Sequence, residues 1–228
     1  VVIELKDIAA KAVRAALDRG AEEASASMSR ATHVSIVRRE GRVEQATEAT
    51  TRGLVLSLLK NDRYTSNSTS DLRPAALAEF IDRCVSAAGY LEPDPDRAQP
   101  ALEQCGRGST DEDLDQDDPS WTAWSPEDRL AQAFGVEQEL GKVRRPDVLS
   151  SAVHLSDGRS EAAFVMSNGF SDTDVGTWFG LGAELSLAEG DKRPEGMAYY
   201  AARYLTDLPH ASRIVADADQ RVRSRLGA

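Results

Sequence analysis

The sequence has 228 residues, of which 41% are hydrophobic, so it is long enough and apolar enough to fold around a core. Its formal net charge of −11 opposes binding to nucleic acid, because the phosphate backbone would be repelled. Two cysteines are too few for a disulfide framework or a structural zinc site. The sequence shows neither a membrane-spanning apolar run nor a signal peptide, so we expect a cytoplasmic protein with no membrane contact.

Residues 1–91 predict a helix followed by antiparallel strands and a second helix. Apolar residues recur at helical spacing over residues 4–19, and alternating apolar and polar residues predict strands between residues 22 and 67. The turns of these strands are expected at Glu40-Gly41-Arg42 and at Asn61-Asp62-Arg63.

The second helix of this region is expected to begin near Asp71, a candidate N-cap, with Pro74 in its first turn. Cys84 falls on the apolar face of that helix together with Leu77, Phe80 and Ile81. This position favours a core thiol over a nucleophile.

Residues 92–124 carry most of the negative charge. Counted on to Asp128, residues 92–128 hold twelve acidic residues and only two basic ones, Arg97 and Arg107, which leaves −10 over those residues. Such a charge block is typically a solvated, flexible linker, and the alternative is a docking surface for a basic partner. The segment 111–118, which contains the paired acids, is too polar to desolvate a carboxylate and thereby raise its pKa for catalysis.

Residues 125–228 repeat the order of helix, strands and helix. Ser125-Pro126 predicts a helix start, and the helix should run to about Arg144. The residues expected to be buried by this helix are Leu130, Ala133, Phe134 and Leu140.

The strands of this second region are expected at 148–155 and 161–166, around an Asp157-Gly158 hairpin turn, and then at 173–187 and 195–203. A last helix is expected after Pro209. The side chains expected to face inward from it are Ile214, Val215, Ala218 and Val222.

The fold class predicted by this order is α+β, with two antiparallel-sheet-plus-helix units joined by the acidic linker. The corresponding domains are 1–91, a linker at 92–124, and 125–228. The chain begins at Val1 and stops soon after a helical pattern, which suggests a part of a longer protein.

The sequence predicts no catalytic residue and no metal ligand. Its histidines, His33, His154 and His210, are far apart and lack the His-Glu-x-x-His spacing of helical zinc sites. No Gly-x-Ser-x-Gly motif is present, and the glycine-rich residues 176–182 suggest a bent strand, not a phosphate loop. A hydrolase assembled from dispersed residues stays as a minor alternative.

Two clusters are candidates for contact with a peptide or a partner. In Ser167-Asn168-Gly169-Phe170 the Asn-Gly step favours a left-handed turn that could present Phe170, or the ring could be buried in the core. In the second cluster, Tyr199, Tyr200 and Arg203 follow one another on a strand. Tyrosines there could line a peptide groove or pack as cross-strand pairs, and both alternatives remain open.

The order of these motifs resembles the N-terminal half of TldE/PmbA-type proteins, which are part of the TldD/TldE metallopeptidase family. Nearly the whole chain except the acidic linker takes part in the resemblance. The residues that carry it are Gly20-Ala21-Glu22-Glu23-Ala24, Arg38-x-x-Gly41-x-Val43-Glu44, Gly53-Leu54, Thr69-Ser70-Asp71-Leu72, Ser167-Asn168-Gly169-Phe170 and Asp191-Lys192-Arg193-x-x-Gly196-x-x-Tyr199-Tyr200-x-x-Arg203-Tyr204-x-x-Asp207-Leu208.

The resemblance implies a subunit of a metallopeptidase that acts on unfolded or small peptides. In that family the zinc motif lies in the C-terminal half of TldD, and TldE/PmbA lacks it and pairs with TldD. We therefore expect a non-catalytic chain that forms a chamber wall and a partner interface, with zinc only in a partner or in a missing C-terminal half. The expected partners are a TldD-like subunit, in a hetero-oligomer, or a second copy. The alternatives are the N-terminal half of a catalytic TldD-like zinc peptidase, and a stand-alone binding or scaffold protein.

Overall fold

The computed structural model describes residues 2–106 and 114–227, and its α+β fold confirms the predicted class. The six strands form one sheet in the order β3-β2-β1-β4-β5-β6. The elements of the described residues, in chain order, are α1 (Val2–Asp18), β1 (Glu23–Arg39), β2 (Arg42–Lys60), β3 (Arg63–Thr69), α2 (Pro74–Ala88), α3 (Pro126–Val143), β4 (Val148–Met166), β5 (Ser171–Leu187), β6 (Glu195–Ala202) and α4 (Ala211–Arg223).

The two predicted turns of the first region are confirmed as two-residue hairpin connections. Glu40 and Gly41 have φ values of 48° and 81°, and Asn61 and Asp62 have φ values of 50° and 58°. Two successive left-handed residues match the right-handed twist of the flanking strands. The strands themselves are longer than the alternation of side chains indicated.

The predicted hairpin turn at Asp157-Gly158 is wrong, because β4 runs without interruption from Val148 to Met166. Asp157 is fully buried, and its carboxylate pairs with the guanidinium of Arg129. At Gly158 an added Cβ would lie 2.5 Å from Nε1 of Trp178 and 2.8 Å from the carbonyl oxygen of Thr32. The glycine is therefore required by a close approach within the sheet and not by a turn.

Helix α3 begins as predicted. Ser125 accepts a hydrogen bond from the Asp128 amide, and Asp128 accepts one in return from the Ser125 amide. The expected burial of Phe134 is wrong, since the residue is 48% exposed, and the Arg38 guanidinium lies 5.7 Å from its ring centroid.

The predicted N-cap of α2, Asp71, is also wrong. The N-cap residue is Arg73, and it makes no capping bond with its side chain. Asp71 instead accepts hydrogen bonds from the amide and guanidinium of Arg73, which lower the pKa of its carboxyl to about 2. Cys84 is buried on this helix as predicted, and burial raises the pKa of its thiol.

The chain forms two compact units. Unit 1 comprises Val1–Ala31, Thr50–Leu114 and Ser160–Val175, and unit 2 comprises Thr32–Ala49, Asp115–Arg159 and Gly176–Ala228. The segments alternate along the chain, whereas the sequence predicted consecutive domains. The predicted boundaries at 1–91, 92–124 and 125–228 concern which parts of the chain fold independently, and they stay a prediction.

Each unit has its own hydrophobic core. In unit 1, α1 and α2 pack against the sheet through residues that include Leu5, Val13, Leu54, Leu56, Phe80 and Ile81. In unit 2, α3 and α4 pack against the sheet through residues that include Val136, Leu140, Val153, Leu155, Leu181 and Leu185. The four side chains predicted to face inward from α4 are all buried there.

One glycine sets the distance between α4 and the sheet of unit 2. Gly196 of β6 is buried, and an added Cβ would lie 2.4 Å from the backbone nitrogen of Val222. Helix and strand backbones therefore touch here with no side chain between them.

Most described residues of the acidic linker are exposed, and a few of them contact the rest of their own unit. The solvated, flexible linker stays a prediction. In unit 1, the Gln99 amide donates to Glu23 over 2.6 Å, and the Arg97 guanidinium lies 4.3 Å from the ring centroid of Tyr64. In unit 2, Arg159 donates to Asp117 over 2.9 Å. Residues 107–113, with the acids Asp111, Glu112 and Asp113, lie outside the described residues.

Helices long and apolar enough to span a bilayer are not found in the part of the chain that the structure describes.

Candidate peptide- and partner-contact site

The ring of Tyr199 on β6 packs against the backbone of Gly180 and Gly182 on β5, two residues that we call the glycine slot. Tyr199 is the register partner of Gly182, and an added Cβ at Gly180 would lie 1.8 Å from the tyrosine hydroxyl oxygen. That hydroxyl shares a 2.7 Å hydrogen bond with the hydroxyl of Ser156. The residue is still 39% exposed, so one face of the ring is available to a ligand.

The neighbouring predicted residues, Tyr200 and Arg203, are engaged within unit 2. The Tyr200 hydroxyl donates to Asp217 of α4, and the Arg213 guanidinium lies 5.9 Å from the Tyr200 ring centroid. Arg203 donates to the carbonyl oxygen of Thr177 over 3.2 Å. Both side chains thus help to hold β6 in place.

The other predicted cluster forms the turn between β4 and β5 in unit 1. Gly169 has a φ of 99°, as the Asn-Gly step indicated. Asn168 accepts a bond from the Phe170 amide and donates to the Pro100 carbonyl over 2.8 Å. Phe170 is partly buried against Phe164, with ring centroids 6.3 Å apart. The six predicted contact residues therefore divide between the two units.

Each histidine has a local partner. His33 stacks on Trp178 with centroids 5.3 Å apart, and His154 shares a 3.1 Å hydrogen bond with Glu184. His210 is the N-cap of α4 and accepts from the Ser212 amide. Among residues 2–106 and 114–227, no group of three or more histidine, cysteine or carboxylate side chains is placed to hold a metal ion. The described side chains therefore do not fit a zinc centre.

Sequence reasoning missed a buried charged cluster in unit 2. Nε and Nη2 of Arg129 donate to the two carboxylate oxygens of Asp157 over 2.8 Å, and the Trp121 indole donates to the same carboxylate over 2.7 Å. The ring of Trp124 lies 4.8 Å from the Arg129 guanidinium carbon. Every carboxylate oxygen is thereby bonded, which a fully buried charge requires. The only signal in the sequence was a charged residue within the apolar alternation of β4.

Asp118 anchors the end of the linker to the same unit. Burial by itself would raise the pKa of its carboxyl, but hydrogen bonds from the amides of Leu205 and Ser120 lower it below its ordinary value. The Asp118 amide in turn donates to the Thr177 hydroxyl over 2.8 Å. The carboxylate is therefore a fixed structural group, held ionised at neutral pH.

Comparison with known proteins relates this fold to one family. Residues 24–88 match the family model described as PmbA/TldA metallopeptidase domain 1. Metalloprotease PmbA of Escherichia coli O157:H7 is 24% identical over 203 residues, which cover 89% of this chain and 44% of that protein.

Solved structures share the fold over almost the whole chain. A protein of Bacteroides thetaiotaomicron, described as a proposed modulator of DNA gyrase, is 30% identical with a TM-score of 0.90, covering 98% of this chain and 50% of its own. TldE of Thermococcus kodakarensis superimposes with a TM-score of 0.77 at 15% identity, covering 95% of this chain and 47% of its own. The chain spans about half the length of the relatives it matches.

These matches show that the chain is similar to PmbA/TldD-type proteins of the metallopeptidase family. More narrowly, it resembles the N-terminal half of a TldE/PmbA chain, as the order of its motifs predicted.

Proposed function

We propose that this chain is a non-catalytic part of a PmbA/TldD-type peptidase, which encloses and contacts peptides while the metal site lies elsewhere. The observation that carries the proposal is a match to a metalloprotease along a chain whose described residues hold no metal-binding group. In such an assembly zinc would be supplied by a TldD-like partner or by further sequence. This chain would form part of the wall around the peptide and contact the peptide.

The exposed ring of Tyr199 is the proposed point of peptide contact. Its flat seat on Gly180 and Gly182 fixes the ring, so stacking of a peptide side chain costs little conformational entropy. Met197, two residues away on the same strand, is also 39% exposed and extends the surface. Addition of the peptide as a further strand is disfavoured at the start of β6, because Arg225 and Arg221 already donate to the carbonyls of Glu195 and Met197.

The catalytic part of the proposal is tested with the purified chain alone and mixed with a TldD-like chain. Zinc content by mass spectrometry and cleavage of a fluorogenic peptide are measured in each sample. We expect neither zinc nor turnover from the chain alone, and turnover once the partner is added. One zinc per chain together with turnover in the isolated chain would contradict the proposal and favour a catalytic TldD-like half.

The contact part is tested by replacing Tyr199 with alanine and measuring peptide affinity in the complex by fluorescence anisotropy. We expect affinity to fall by about five- to tenfold, as for removal of an aromatic contact worth about 1 kcal/mol. Tyr90→Ala is the matched control, because Tyr90 is 91% exposed and lies in unit 1. Equal affinity of both variants would remove Tyr199 from the proposed site.

A second candidate function is modulation of DNA gyrase, which the Bacteroides relative favours by its description and 30% identity. The net charge of −11 implies that such an effect would act through the enzyme and not through DNA. A supercoiling assay with purified gyrase, with and without this chain, tests it. Unchanged supercoiling at a molar excess of the chain would end this candidate.

A further inference from the structure

One cavity of unit 1 lies where the first turns of α1 meet strands β1 and β2. Its volume is about 340 Å³, which is within the range of small-molecule sites, about 300–1,000 Å³. All of its lining residues belong to unit 1, whereas Tyr199, the proposed point of peptide contact, belongs to unit 2. The cavity is therefore a candidate for a separate binding site, and we call it the arginine pocket after its residues Arg30 and Arg52.

The inner wall of the arginine pocket is apolar. Leu5 of α1 and Met28 of β1 line it, are 4% and 1% exposed, and belong to the core of unit 1. Ile8 and Leu72 also line it and pack, half-buried, against the same core. Apolar surface of this kind favours contact with an apolar group, because water is released from both. The wall therefore fits a branched apolar side chain.

The two arginines continue the core face of the sheet to the rim of the pocket. Arg30 follows Met28 by two residues on β1, and Arg52 precedes Leu54 by two residues on β2. Residues two apart on a strand share a face of the sheet. Met28 and Leu54 are buried, but both arginines are exposed. The core face thus changes from apolar to cationic at the pocket.

Neither guanidinium is neutralised within the part of the chain that the structure describes. Arg30 and Arg52 have no hydrogen-bond or ion-pair partner there. Asp71, which feels the charge of Arg52 through space, is already bonded to the amide and guanidinium of Arg73. Two like charges that line one cavity repel each other, and a bound anion relieves this repulsion. The pocket therefore favours an anionic group at its rim.

One carboxylate also lines the pocket and limits the charge of the ligand. Glu4, in the first turn of α1, is ion-paired with neither arginine in the described structure. Two guanidinium groups and one carboxylate leave a single positive charge, which a monocarboxylate balances. A second negative charge on the ligand would be repelled by Glu4. A carboxylate is also planar, as is required for paired hydrogen bonds from a guanidinium.

We propose that the arginine pocket binds the C-terminal residue of a peptide, with the terminal carboxylate on Arg30 and Arg52 and an apolar last side chain against Leu5 and Met28. The choice of a peptide as the source of the carboxylate rests on the proposed function. The chemistry of the ligand, one carboxylate beside a branched apolar group, follows from the pocket alone. The step is binding only, so neither zinc nor a catalytic partner is needed.

Isothermal titration calorimetry of this chain alone tests the chemistry of the ligand. A tetrapeptide that ends in leucine with a free carboxylate should bind. Its C-terminal amide should bind at least about tenfold more weakly, because the charge-assisted hydrogen bonds are lost. The same peptide ending in aspartate should also bind about tenfold more weakly, because its second carboxylate meets Glu4 and the apolar wall. Equal affinity for acid and amide would overturn the proposal.

Substitutions in the pocket test its location. Arg30→Gln and Arg52→Gln should each weaken binding of the leucine-ending peptide by about tenfold. Arg14→Gln is the matched control, because it removes the same charge from an exposed residue of unit 1 that does not line the pocket. Glu4→Gln should strengthen binding by about two- to fivefold, a gain that a misfolded variant would not give. Equal weakening by Arg14→Gln would refute the site.

A free acid separates a peptide from a small carboxylate as the occupant. Isocaproate has the same branched apolar group and carboxylate but no peptide bond. We expect it to bind at least about tenfold more weakly, since the exposed rim leaves room for contacts with the preceding residues of the peptide. Equal affinity would overturn the peptide as the source. Zinc or turnover in the isolated chain would contradict the proposed function and leave these affinities unchanged, so the two failures are distinguishable.

Discussion

At the scale of single residues, the buried pair of Arg129 and Asp157 has the largest expected effect on stability. Replacing Arg129 with methionine leaves a carboxylate that is 0% exposed without its counter-charge. We expect the free energy of unfolding to fall by about 3–5 kcal/mol, as found when one partner of a buried ion pair is removed. Urea denaturation measures the change.

The control for this prediction is an ion pair on the surface. Arg83 and Glu79 pair one helical turn apart, with side chains 66% and 70% exposed. Arg83→Met should cost no more than about 0.5 kcal/mol. If Arg129→Met cost as little as this control, the buried pair would not stabilise the fold as argued.

The lowered pKa of Asp118 predicts a dependence of stability on pH. A carboxyl whose pKa is lower in the folded than in the unfolded state stabilises the fold above about pH 4, the ordinary pKa of aspartate. This contribution is lost as pH falls through the folded pKa. Asp118→Asn should therefore reduce stability at pH 7 and lose less of it on acidification than the original chain does. If the melting temperatures of the two proteins fell by the same amount between pH 7 and pH 3, the prediction would be contradicted.

The packing of Tyr199 on Gly180 predicts that alanine there lowers the free energy of unfolding, whereas alanine at a glycine with open space around it, Gly141, raises it. Gly180→Ala should lower the free energy of unfolding by about 1–3 kcal/mol, because the new methyl group must displace the tyrosine ring. Gly141→Ala, in α3 with nothing within 4 Å of the new carbon, should raise it by up to about 1 kcal/mol. Urea denaturation measures both. Gain of stability in both variants would show that the ring can move without cost.

At the scale of elements, the turn between β2 and β3 is expected to accept a glycine. Asp62 has a φ of 58°, a conformation that costs an L-residue about 1 kcal/mol and glycine nothing. Since glycine also loses more entropy on folding, Asp62→Gly should raise stability by only about 0.5 kcal/mol. Thermal melting measures it, with Glu79→Gly inside α2 as a control of opposite sign. A lowered melting temperature for Asp62→Gly would contradict the expected relief.

Two features that are determined by residues adjacent in the sequence were predicted correctly. The N-terminal cap of α3 and the turn at Glu40-Gly41 depend on neighbours in sequence, and both were predicted. Asp157-Gly158 has the composition of a turn, yet it lies within a strand, because Arg129 and Trp178 are contacts distant in sequence. The exposure of Phe134 was missed for a related reason, since its position on the apolar face of a helix does not show which residues distant in sequence cover it.

The candidate site was predictable only in part. Tyr199 could be named from the sequence, but its seat could not, because Gly180 and Gly182 become a slot only in the register of β5 with β6. In the same way, the positions of Asn168 and Tyr199 in different units could not be read from consecutive motifs. Strand register and long-range pairing carry this information.

At the scale of the whole molecule, the alternation of segments predicts that residues 1–91 do not fold alone. Unit 1 includes Ser160–Val175, and Ala163 from that segment is part of its core. A fragment of residues 1–91 would leave the strand beside β1 missing, so we expect a poorly dispersed amide spectrum by NMR. A cooperative melt and a dispersed spectrum would instead support the consecutive boundary at residue 91.

The contact between Gly196 and Val222 has a consequence for reading relatives of this chain. A side chain at position 196 would overlap the backbone of α4, so α4 would have to lie farther from β6 by the thickness of a methyl group or more. Aligned sequences that carry alanine or larger residues there must therefore seat that helix differently, whatever their overall similarity. A single column of an alignment can thus distinguish chains that share this interlayer spacing from those that do not.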